Sequence, residues 1–264
     1  MIRVSGLEVT FNRGTPLEKR ALQGVDLTLE KGEFVCVIGS NGAGKSTLLS
    51  AIAGDVLPTA GKIEIDDINV SRWPTAKRAR LVSRVFQDPL AGSCAGLTIE
   101  ENLALAASRG QRRTLRHAIT HARRASFRDR IAELRLGLEN RLKDRMGLLS
   151  GGQRQAVSLV MASLAPSSVL LLDEHTAALD PGMAAFVIGV TNQVVAESKL
   201  TTLMVTHSMS QALQVGTRTV MLHEGRVLLD VRGEERSKLT VEDLVARFHN
   251  VRGQVIDDDA LLMG

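Results

Sequence analysis

The stretch Phe34-Val35-Cys36-Val37-Ile38-Gly39-Ser40-Asn41-Gly42-Ala43-Gly44-Lys45-Ser46-Thr47 decides the fold. Its first five residues have the apolar pattern of a short buried strand. Gly39 to Ser46 match the phosphate-loop pattern G-x-x-x-x-G-K-[ST] in full. Leu48-Leu-Ser-Ala-Ile-Ala53 follows with a helical pattern. Strand, glycine turn and helix in this order curl backbone N–H groups around phosphate oxygens and aim a helix N-terminus at them. In such a loop Lys45 reaches the β- and γ-phosphates, and the Ser46 hydroxyl is a Mg²⁺ ligand. A chance glycine-rich turn would lack this pair of flanking elements. Gly39, Ser40, Asn41, Gly42, Ala43, Gly44, Lys45, Ser46 and Thr47 are therefore the expected phosphate-binding residues.

Two more apolar runs end in polar residues. Val169-Leu170-Leu171-Leu172 leads into Asp173-Glu174, and Leu203-Met204-Val205 leads into Thr206-His207. In open α/β sheets, ligands bind at the carboxyl ends of such strands. An acid at a strand end carries little information alone. Beside a phosphate loop, Asp173 is expected to hold Mg²⁺ through water and Glu174 to act as general base on an attacking water. Leu149-Ser150-Gly151-Gly152-Gln153-Arg154 contains neither a nucleophile with a base nor a metal cluster. Ser-Gly-Gly at a helix start does offer a hydroxyl and free N–H groups, a second anion-binding device. One nucleotide in one chain does not need two such ends; two chains facing each other could use both.

The remaining pattern sets the organisation. Residues 1–11, 21–30 and 61–70 alternate and read as a small antiparallel sheet, and residues 220–229 read as a hairpin turning at Glu224-Gly225. From about 97 to 160 the pattern is helical: Thr98-Ile-Glu-Glu101 has capping-box spacing, and a basic helix is expected over roughly 111–135. Thr240-Val-Glu-Asp243 is expected to cap a final helix. The expectation is an α/β fold: a P-loop core with a mainly parallel sheet, an N-terminal antiparallel β subdomain and an inserted α-helical subdomain. It forms one domain over 1–250, followed by a tail at 251–264.

Composition excludes several functions. With 6 Phe, 1 Trp and 0 Tyr in 264 residues, aromatic platforms for nucleic acid or for sugars are not available. The 2 cysteines, Cys36 and Cys94, give no disulfide framework and no metal-ligand cluster. No run of 18 apolar residues and no signal-peptide core is present, so a cytoplasmic chain is expected. The net charge of +4 is uneven: residues 109–145 hold 12 Lys and Arg against 4 Asp and Glu, leaving 21 against 25 elsewhere. Arg109, Arg112, Arg113, Arg116, Arg123 and Arg124 could meet acidic lipid headgroups or an acidic helix, or form a solvated helix face.

The order of motifs (39–47, Gln87, 149–153, 169–174, Ala178-Leu179-Asp180, His207) resembles the ATP-binding subunits of ABC transporters, over roughly residues 2–248. The resemblance implies two cassettes closing head to tail around two ATP molecules. Ser150, Gly151, Gly152 and Gln153 would then meet the phosphate held by the partner's Lys45. It also implies that Gln87 touches Mg²⁺ and the attacking water and reports to a membrane subunit. His207 would contact the γ-phosphate, Asp180 would couple the two sites, and Phe11 would stack on adenine. Stacking tolerates other bases, so GTP is admitted too. The implied cofactors are ATP and Mg²⁺. The implied partners are a second cassette (in a homodimer or a mixed pair), transmembrane permease subunits and a solute-binding protein, on the inner face of the cell membrane, with no nucleic acid. A separate cassette chain points to a bacterial importer. The alternatives are an exporter, a lipoprotein-release system or a non-transport relative. Repair relatives carry long coiled coils and ribosomal ones two cassettes in a chain, and neither is present here. The short C-terminus leaves no room for a large regulatory domain. Intact Lys45, Asp173, Glu174 and His207 argue against a catalytically dead scaffold. Two features depart from the pattern. His175 stands where most members carry Pro, and the loop Asp88–Gly96 is long and rich in small residues.

Overall fold

β1 (Ile2–Phe11) alternates as the sequence demands: Ile2, Val4, Leu7 and Val9 are buried, and the residues between them face outward. It pairs antiparallel with β2 (Lys19–Leu29) and later with β4 (Ala60–Ile65). With β5 (Ile68–Asn69) these make a sheet of order β2-β1-β4-β5, the expected antiparallel layer. The computed structural model describes residues 1–111 and 117–247.

β3 (Phe34–Gly39) enters a second sheet and leads through the glycine turn into α1 (Lys45–Ala53). α2 (Thr75–Arg78) precedes β6 (Val82–Val85), a strand that the sequence pattern did not reveal. α3 (Ile99–Ala107), α4 (His121–Ala132) and α5 (Gly151–Leu164) follow, then β7 (Val169–Asp173) and α6 (Pro181–Ser198). β8 (Thr201–Val205), α7 (Met209–Gln214), β9 (Arg218–His223), β10 (Arg226–Arg232) and α8 (Gly233–Ser237) complete the order, with residues 241–247 helical. The second sheet has the order β10-β9-β3-β8-β7-β6. All its neighbours are parallel except the β9–β10 hairpin, which turns at Glu224-Gly225 as expected.

The central strands are buried on both faces, and their two-residue period sorts side chains between two cores. Val35, Val37, Val169, Leu171, Leu203 and Val205 pack with α1 and the antiparallel sheet. Phe34, Cys36, Ile38, Leu170, Leu172 and Met204 pack with α3, α5 and α6 on the other side. Each fully buried Leu, Ile or Val contributes about 1.5–3 kcal/mol, so the alternation glues three layers with one sheet. Burial pushes the Cys36 thiol up to about 12, and its Sγ donates to the Val215 carbonyl, so this cysteine is inert.

The helical stretch keeps its expected caps. Thr98 and Glu101 form both halves of a capping box, as do Ser150 and Gln153 at α5. Thr240 and Asp243 exchange hydrogen bonds at the start of the 241–247 helix. The expected basic helix over 111–135 is shorter. Thr120 accepts from Arg123 N and starts α4 at His121, while Arg135 and Gly137 adopt positive φ and stop it.

The basic residues are also reassigned. Arg109 is half-buried and donates to the Ala162 and Ala165 carbonyls at the end of α5. Burial lowers its pKa below the usual guanidinium range. Arg124 grips the buried Glu100 at 2.6 and 3.2 Å, and Arg123 donates to the Ala118 carbonyl. Arg109 and Arg124 are therefore internal clamps rather than lipid-facing charges. Arg112, Arg113 and Arg116 lie outside the described residues, as does the expected 251–264 tail.

Candidate active site

The site is built at the carboxyl ends of β3, β7 and β8. After β3 the chain must reverse around open space, and glycine permits it. Gly39 has φ +150, and a Cβ there would collide with the Leu222 carbonyl oxygen. Gly44 has φ +100, and a Cβ there would lie 2.6 Å from the Ala21 carbonyl oxygen. α1 starts immediately after Gly44 with no side-chain cap, so its first N–H groups are free for an anion. Lys45 is buried and donates to the carbonyls of Gly39 (2.8 Å) and Ser40 (3.0 Å). Those bonds hold the loop in a ring and leave one ammonium N–H over. Burial lowers the Lys45 pKa below its ordinary value, while Glu174 and Asp173 pull it back up.

A cleft of about 230 Å³ opens over this loop, lined by Phe11, Lys19, Ala21, residues 41–47 and Glu174. Phe11 is 37% exposed at its edge. Glu174 adopts φ +43, a left-handed conformation costing about 1 kcal/mol or more for a non-glycine residue. Its N–H donates to the Val205 carbonyl, which ties the loop after β7 to the end of β8. His207 then lies close, with Nδ1 3.4 Å from Glu174 Oε2. Asp173 sits one residue back, its Oδ2 accepting from Arg84 Nη2 at 2.6 Å.

Phe11, residues 41–47 and Glu174 thus line the cleft, and Asp173 and His207 stand beside it, next to Glu174 in sequence and 3.4 Å from its carboxylate respectively. The structure does not bring Gln87, Ser150, Gly151, Gly152, Gln153 or Asp180 to that cleft. Gln87 is exposed on the loop after β6. Ser150 and Gly151 are exposed at the start of α5, and Asp180 caps α6 by accepting from Met183 N. These two helix starts touch each other: a Cβ on Gly152 would strike Met183, and one on Gly151 would contact Leu179.

Several supporting residues escaped the sequence reading. Arg154 donates to the carbonyls of Met146, Gly147 and Leu149 and so fixes the turn that presents Ser150. Gln211 accepts from Thr206 Oγ1 and donates to Thr176 Oγ1, locking the His207 loop to the Glu174 loop. Arg84 bridges Asp173 to Asp55. Arg84 and Gln211 have no local sequence signal, because Asp173 and Thr176 are brought to them only by folding.

A family model for ABC transporters matches residues 22–177. The chain belongs to the ABC transporter family. The tyrosine transport ATP-binding protein of Clostridioides difficile (strain R20291) is 42% identical over 248 residues, covering 94% of this chain and 98% of that protein. The thiamine import ATP-binding protein ThiQ of Escherichia coli (strain K12) is 36% identical over 202 residues, covering 76% and 82%. Among solved structures, the cassette MJ0796 in a dimeric post-hydrolysis state bound to ADP and Pi superposes with a TM-score of 0.75. It is 27% identical and covers 88% of this chain and 98% of that one. The cassette is therefore an ATP-binding ATPase with the ABC fold.

His175, where most members of the family carry Pro, is buried. Its Nε2 lies 2.9 Å from Thr191 Oγ1, which itself donates to the Val187 carbonyl. Thr191 therefore accepts, and Nε2 carries the proton. His175 ties the catalytic loop to α6 and is neither a metal ligand nor a second base. Burial lowers its pKa from 6.5 to about 4. Between these values the unfolded chain binds a proton that the folded chain excludes, so stability falls as pH falls through this window. His175→Gln is expected to remove this sensitivity. Urea unfolding from pH 6.5 to 5.5 should cost the wild type about 1 kcal/mol more than the variant; parallel profiles would refute the assignment.

Proposed function

We propose that this cassette is the nucleotide-binding subunit of an importer, powering solute uptake through separate transmembrane permease subunits at the inner face of the cell membrane. The observation that carries the hydrolytic part of this reading is the Glu174–His207 pair at 3.4 Å beside the phosphate loop. Import is favoured over export by the transport and import names of both relatives. No described helix is long and apolar enough to cross a membrane, so the spanning path is assigned to other chains. A solute-binding protein would deliver cargo to those chains.

In this reading Phe11 stacks on the base, and loop N–H groups with Lys45 grip the phosphates. Glu174 takes a proton from the attacking water, and His207 orients against Glu174 and the γ-phosphate. Ser46 and Asp173 present hard oxygen donors, which suit Mg²⁺ held by few protein ligands and by substrate phosphates. Gln87, outside the cleft in this structure, would join them by a movement of its loop. Bound Mg²⁺ would neutralise charge on the β- and γ-phosphate oxygens. Ser150, Gly151, Gly152 and Gln153 face away from their own cleft and serve the site of a second cassette, with Asp180 beside them at the contact. Such closure excludes water and supplies the second helix N-terminus.

We assign residues 97–160 as the permease-facing subdomain. A groove of about 1550 Å³ runs between the loop after β6 and α3, the 117–123 segment and α5. On its lining, Gln155 Oε1 and Ser158 Oγ are buried and have no hydrogen-bond partner among the described residues, and Leu105 is 57% exposed. A docked permease segment would cover Leu105.

Glu174→Gln is expected to keep ATP binding, lose hydrolysis by roughly 10²–10⁴-fold and accumulate as a dimer on size exclusion with ATP and Mg²⁺; retained turnover would sink Glu174 as the base. Leu105→Glu should leave the isolated ATPase unchanged and abolish co-purification with the permease; normal assembly would move the docking face elsewhere.

A further inference from the structure

We propose that Arg84 is a positioning residue for Asp173, fixing the carboxylate that presents to Mg²⁺ and linking it to the permease-facing groove. The inference rests on the ATPase reading of the cleft. Arg84 lies on β6, which runs parallel to β7 with Arg84 opposite Leu171, two residues short of Asp173. Its guanidinium spans the gap: Nη2 donates to Asp173 Oδ2 at 2.6 Å, and Nη1 donates to Asp55 Oδ2 at 2.6 Å. Asp55 follows the end of α1 and accepts from Thr75 Oγ1 through its other oxygen. One planar side chain therefore joins the phosphate-loop helix to β7, which ends in Asp173, and to β6, which leads into the Gln87 loop. An ammonium, a point charge on a flexible stem, cannot hold two carboxylates in this forked way.

The arrangement is mostly enclosed, with Arg84 and Asp173 side chains 13% and 12% exposed. Arg84 Nε is buried with no acceptor among the described residues, an orphan donor that structure alone gives no reason to keep. Its guanidinium lies 4.7 Å from the centroid of the Phe86 ring, next to Gln87, and Arg84 also lines the groove. Phe86 in turn accepts at its carbonyl from Gln155 on α5. Arg84 holds Oδ2, and among the described residues no hydrogen bond engages Oδ1. It stops the carboxylate from rotating and leaves one defined oxygen for the cation. Outer partners of this kind tune metal affinity by about 10–100-fold.

A guanidinium that only neutralised Asp173 would behave differently: removing it would make the site more negative and strengthen Mg²⁺ binding. The two roles therefore predict opposite signs. The experiment measures binding of a fluorescent ATP analogue, and its hydrolysis, against Mg²⁺ concentration for wild type, Arg84→Met and Arg84→Lys. Arg84→Met should raise the Mg²⁺ needed for half-saturation about 10-fold or more, with analogue binding in EDTA unchanged, and Arg84→Lys should recover part of the loss. A Mg²⁺ requirement that is unchanged or lowered in folded Arg84→Met overturns the proposal. If Arg84→Met does not fold, Asp55→Asn decides: it should raise the requirement in the same direction, and no change overturns the proposal. A wild-type chain whose analogue binding ignores Mg²⁺ overturns the underlying ATPase reading instead.

Discussion

A polyanion must bind beside two carboxylates, and the rest of this structure answers that electrostatic constraint. Asp173 and Glu174 stand at the end of one strand, with their repulsion of phosphate undiminished by distance. The fold counters it with the free N–H groups at the start of α1, the buried ammonium of Lys45 and the guanidinium of Arg84. Burial matters as much as sign: a half-enclosed cleft strengthens these attractions relative to water. Lys45 illustrates the balance. Desolvation lowers its pKa, and the same two carboxylates that threaten the phosphate offset part of that fall.

The excess of basic residues takes on a structural meaning in this light. Several arginines neither face solvent nor pair only with acids; they donate to carbonyls where the backbone runs out of partners. Arg78, fully buried, closes the end of α1 through the carbonyls of Ala51 and Ile52 and also reaches Ser71 and Trp73. Arg109 does this for α5 and Arg236 for α7. Arg154 fixes the turn before Ser150. Orphan carbonyls at helix ends favour cations, and a guanidinium can serve several at once. The helices α1 and α5, whose N-termini carry the phosphate loop and the Ser150 turn, are thus clamped at or near their ends, which fixes where those N-termini point.

Much of this was legible in the sequence where the physics is local. The phosphate loop, the Thr98 capping box and the Glu224-Gly225 hairpin are each determined within a few residues, and the structure forms all of them. The alternating N-terminal strands were legible for the same reason. β6 was not, because its four residues Val-Ser-Arg-Val are too few to show a period. The length of α4 was misjudged because charge pattern does not reveal where Thr120 caps or where Arg135 leaves helical space. The Arg84–Asp173 and Gln211–Thr176 bonds join residues 89 and 35 positions apart, so no local pattern could disclose them. His175 was noticed as a departure, but its bond to Thr191 required the packing of α6.

The central claim is that each ATP is held between the phosphate loop of one chain and the α5 start of another. Nucleotide-dependent cross-linking tests it directly. Chains carrying Cys94→Ser with Asn41→Cys are mixed with chains carrying Cys94→Ser with Ser150→Cys, and disulfide formation is followed with and without ATP and Mg²⁺. The account predicts a covalent dimer only in the mixture and only with nucleotide. The absence of that dimer under saturating ATP, or equal cross-linking without nucleotide, would contradict it.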